Sequence, residues 1–70
     1  MDTSQIINTM KSTPYKYTFA SKVKDYLKKD TDGDADQIID QLRVTVADPV
    51  NADISKPLKE VLKYFRRNMF

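Results

Sequence analysis

Apolar residues recur at three- and four-residue spacing in four separate stretches of this chain, and each stretch is bounded by residues that start or stop helices. The first, residues 3–11, sets Ile6, Ile7 and Met10 on one face. It is short and would fray unless docked on a neighbour. The second, residues 14–29, opens with Thr13 as a capping residue and Pro14 at the first helical position, where a missing N–H costs nothing. Tyr15, Phe19, Val23, Tyr26 and Leu27 then form one apolar stripe, with Lys24, Lys28 and Lys29 off it.

The third stretch, residues 35–46, follows a loop holding the chain's only glycine, Gly33, where a positive φ carries no steric penalty. Asp34 is its expected cap, with Gln37 three residues on, and Ile38, Ile39, Leu42 and Val46 make its apolar face. Residues 42–46 also alternate as a strand would, but no second strand exists to pair with them, and an isolated strand leaves its backbone groups unsatisfied. The expectation is therefore helix, ended by Asp48 and Pro49. Residues 50–54 read as a connector. The fourth stretch, residues 55–69, begins near Ser55, takes Pro57 in its first turn and aligns Leu58, Val61, Leu62, Phe65 and Met69. Short connectors between helices predict an all-α fold in one domain, residues 1–70, as a small four-helix bundle or orthogonal helical array.

Composition narrows the chemistry more than it narrows the fold. The 70 residues include neither cysteine nor histidine, which removes disulfides, thiol nucleophiles, Ser-His-Asp catalysis and ordinary zinc sites. A chain of this size buries only about 60% of its unfolded surface, so the core is thin and leaves little room for a substrate-sized cleft. No enzyme activity and no cofactor are expected. No run approaches the roughly 18 apolar residues of a membrane span, and the opening five residues lack the cationic and apolar parts of a secretory signal. The reading is a soluble cytoplasmic protein that does not engage a membrane.

Charge changes the picture again, because the net +2 hides three bands: residues 11–29 are basic, 30–53 acidic and 56–67 basic. In the middle band Asp30, Asp32, Asp34 and Asp36 alternate as a calcium loop requires. Counting from Asp30 or from Asp32, however, neither register supplies the glycine at position six or the glutamate at position twelve. Capping and loop solvation account for the same residues, so no metal site is expected.

On the fourth stretch Lys59, Lys63 and Arg66 fall in a narrow arc that Lys56 and Arg67 extend, opposite the apolar stripe. Such a row suits a phosphate backbone or an acidic protein surface. Helix-turn-helix geometry is not matched, because the connector holding Pro49 is too long. Of the four tyrosines, Tyr15 and Tyr26 sit on the expected core face, leaving Tyr17 and Tyr64 as boundary residues rather than a base-stacking surface.

The leading expectation is a non-enzymatic interaction or regulatory accessory module. It would contact an unidentified protein partner through Lys56, Lys59, Lys63, Arg66 and Arg67, with Asp30, Asp32 and Asp36 as a second, acidic surface. The same complementarity would let two copies associate as a dimer. Nucleic-acid binding by the basic face of the last helix is the alternative.

Overall fold

The computed structural model describes residues 1–30 and 33–65 and contains four α-helices: α1 (Thr3–Ser12), α2 (Lys16–Lys29), α3 (Asp34–Ala47) and α4 (Ala52–Phe65). A short 3-10 helix, Pro49–Asn51, leads directly into α4. No strand occurs among the described residues, and none of their helices is long and apolar enough to cross a membrane. The all-α helical bundle expected from the spacing is present, and the interval 42–46 is helical.

Helix α4 organises the core. It packs most extensively against α3 and α2 and also touches α1. Its Ile54, Leu58, Val61 and Leu62 meet Phe19, Ala20, Val23 and Leu27 of α2, Ile38, Ile39 and Leu42 of α3, and Ile6 and Met10 of α1 in one buried cluster. Each fully buried aliphatic side chain of this kind is worth about 1.5–3 kcal/mol relative to exposure.

Helix α1 is only ten residues long, yet both its ends are tied. At its start the Asp2 carboxylate accepts from the Gln5 backbone N–H (2.9 Å), and the Gln5 side chain accepts from the Asp2 N–H (3.0 Å). This reciprocal capping box satisfies two donors that a helix N-terminus otherwise leaves open. At its end the Thr13 N–H donates to the Met10 carbonyl (3.3 Å), and the Thr13 hydroxyl donates to the Thr9 carbonyl.

That use of Thr13 corrects the expected start of α2. Both donors of Thr13 close α1, so it does not cap the next helix; Pro14 lies in the turn, Tyr15 takes the capping position in extended conformation, and the helix begins at Lys16. No side chain caps α2. Tyr15 consequently stands outside the helical repeat that would have carried it to the core, and it is 66% exposed. Phe19, Val23 and Leu27 are buried as the stripe requires, with Tyr26 half-buried against them.

Three further boundaries differ. Gly33, at φ +88°, takes the capping position of α3, so Asp34 is the first helical residue and forms no capping box with Gln37. Residues 52–54 are the first turn of α4 rather than part of a connector, and Ile54 is fully buried. Pro57 is therefore the sixth residue of α4, not in its first turn, and its ring is buried. A proline there removes the N–H that would bond the Asp53 carbonyl. The helix nevertheless continues through it, because the buried side chains on both sides share one face. Met69, expected at the end of that stripe, lies outside the described residues.

Candidate functional site

Burial of Ile54, Pro57, Leu58, Val61 and Leu62 on one side of α4 leaves the opposite side to lysine. At 100° per residue, Lys56, Lys59 and Lys63 fall within an arc of about 60° and span about 10 Å of helix. All three are exposed, and none makes an ion pair among the described residues. Arg66 and Arg67, which extend the row in sequence, lie outside the described residues. The flank of α4 that turns toward α2 carries the exposed Asp53, Glu60 and Tyr64. There the Lys24 Nζ of α2 sits 5.6 Å from the centre of the Tyr64 ring, within cation–π range, and Phe65 meets Tyr64 edge to face at 5.0 Å.

Two of the three acidic candidates lie among the described residues, at the end of α2 and the start of α3. Asp30 is partly buried and ends α2, its N–H donating to the Leu27 carbonyl, whereas Asp36 is exposed beside Asp34 in the first turn of α3, near the positive end of that helix dipole. Asp32 lies outside the described residues. Further along α3, Arg43 and Asp40 form an ion pair at 2.8 Å. Among the described residues no group of three or more acidic side chains is placed to hold a metal ion.

The late start of α2 creates a feature that the spacing alone did not predict. Residues 14–17 and the Asp53, Lys56 and Pro57 side of α4 enclose a shallow groove of about 300 Å³. Tyr15 and Tyr17 line it side by side, with ring centroids 6.1 Å apart and planes tilted by 46°. Lys16 and Lys56 are the cations along its walls, and Asp53 is its acidic residue among those described. The signal available in the sequence was the pair of threonine and proline directly after a helix end, which can serve the outgoing helix as well as the incoming one. A second depression, about 310 Å³, lies between residues 1–3 and the Asp34, Gln37, Ile38 and Gln41 face of α3, away from the lysine row.

Binding of an anionic surface is the chemistry these groups are equipped for: fixed positive charge on a rigid helix, flanked by aromatic rings. No family model, curated protein or solved structure matches the chain, so the functional reading rests on this geometry.

Proposed function

We propose that the protein is a non-enzymatic interaction module that presents the outer face of α4 to a protein partner carrying a complementary acidic surface. The observation that carries this reading is the row Lys56, Lys59 and Lys63: exposed, unpaired among the described residues and mounted on the helix that the rest of the bundle grips. Their backbone is already placed before binding, and charge complementarity across an interface speeds encounter and fixes orientation. Asp53 and Glu60 flank the row on the same helix without pairing with it, and the acidic first turn of α3, Asp34 and Asp36, sits on a different helix.

Reversing the row tests the reading. Lys59→Glu combined with Lys63→Glu changes two exposed positions, so far-ultraviolet circular dichroism and the melting temperature should stay unchanged. Proteins captured from native-host extract by the wild type should fall away with the double variant, and should also fall away as salt is raised past the screening range of about 0.15 M. Retention of the same captured proteins by the folded double variant would remove this face from consideration. Sedimentation at rising concentration separates the self-association outcome, in which the captured partner is a second copy.

A further inference from the structure

Beyond the protein-docking reading, we infer that the groove between residues 14–17 and α4 binds single-stranded nucleic acid, with Tyr15 and Tyr17 stacking on bases and Lys16 and Lys56 meeting phosphates. The site shares Lys56 with the face proposed above but not Lys59 or Lys63, so the Lys59→Glu, Lys63→Glu variant tests that face without altering this groove.

Exposure is the first support. Tyr15 is 66% and Tyr17 39% exposed two positions apart, so both rings are open to a ligand. Ring geometry is the second: a 46° tilt at 6.1 Å is a contact without parallel stacking, so each ring keeps face area for another flat partner. Every base offers a π face, and stacking on an aromatic side chain contributes about 1–3 kcal/mol per base without regard to sequence.

Charge placement is the third. Lys16 lies between the two tyrosines in sequence, and Lys56 lines the groove from α4, so two cations from different helices share the groove with the rings. Asp53, on the same wall, can accept a hydrogen bond from a base N–H, such as N3–H of thymine. A duplex keeps its bases stacked on one another and could not offer their faces to the rings, which is why the ligand is single-stranded. The groove volume of about 300 Å³ is open at the surface and suits one or two nucleotides rather than a folded domain.

The chain has four tyrosines and no tryptophan, so its emission comes from tyrosine alone, and the part lost in the Tyr15→Ala, Tyr17→Ala variant is the share of these two rings. Titrating the full chain at low salt with an oligothymidylate of about twelve nucleotides should quench that emission saturably. Anisotropy of the labelled oligonucleotide should give the same affinity. Tyr15→Ala with Tyr17→Ala should weaken binding at least about tenfold, the equivalent of 1.4 kcal/mol. Tyr15→Phe with Tyr17→Phe, which keeps the rings, should stay within about threefold of the wild type. Two phosphate contacts on a single strand imply a loss of about sevenfold between 50 and 200 mM salt. Absence of saturable quenching in the wild type would overturn the assignment and leave the groove to an apolar peptide. Wild-type affinity in the folded double alanine variant would overturn it as well, by showing that lysines hold the strand without the rings.

Discussion

Helices α1 and α4 stand at opposite extremes of how a helix in this protein is held. Helix α1 has two fully buried side chains, Ile6 and Met10, and depends on its ends, where Asp2 and Gln5 cap each other and Thr13 closes the last turn. Helix α4 contains a proline at its sixth position and is secured by contact with every other helix and by four fully buried aliphatic residues. Local hydrogen bonds can define a short helix that packs little. Packing can carry a long one through a residue that interrupts its ladder. The proposed function draws on the same division, since it places the row of charges on the helix that touches every other helix.

The comparison is broken most strongly from the α4 side. Leu58→Ala empties the centre of the cluster and should destabilise the protein by about 2–5 kcal/mol, a large share of the stability of so small a domain. Urea denaturation measures this directly, and a loss below about 1 kcal/mol would mean that α4 is not the element the others depend on. From the α1 side, Asp2→Ala removes one arm of the capping box and should cost about 1 kcal/mol. Hydrogen exchange sharpens the point: faster exchange confined to the first turn of α1 is expected, whereas acceleration throughout the bundle would show that the cap and the core act as one unit. The smallest effect belongs to a surface pair that neither mode of support uses. Asp40→Ala breaks the i,i+3 contact with Arg43 and should change stability by no more than about 0.5 kcal/mol, with a larger loss indicating that α3 relies on its charges.

The core was readable wherever the apolar period was uninterrupted by a boundary. Ile6 and Met10, Phe19, Val23 and Leu27, Ile38, Ile39 and Leu42, and Leu58, Val61 and Leu62 are all buried as their spacing requires. The misreadings cluster at helix ends. Thr13 and Pro14 satisfy the rule for a helix start, but the same threonine can close the helix before it, and that competing use prevailed. Ile54 reads as connector if Pro57 marks the first turn, but α4 begins at Ala52, three residues before Ser55, with Ile54 buried. The capping box of α1 is legible as Asp2 and Gln5 at the required spacing, directly before Ile6 and Ile7.

For the candidate site, the lysine row on α4 followed from angular spacing alone, because a helix with one buried face must turn the opposite residues to water. The groove beside it did not. Tyr15 sits four residues before Phe19, a spacing that places it in the core if the helix has already begun and in solvent if it has not.

The sequence by itself determined that this chain is all-helical, which residues line most of its core, and that cysteine and histidine chemistry is closed to it, since periodicity and composition are properties of residues in order. Tertiary structure alone decided where α2 and α4 begin and brought Tyr15, Tyr17, Lys16 and Lys56 to one groove. Such decisions turn on which of two neighbouring elements a shared donor satisfies, and on whether distant side chains bury a helix well enough to carry it through a proline. The first is settled by local hydrogen bonds at a helix end that the sequence allows to be read either way, the second by contacts between segments that spacing along one segment does not contain.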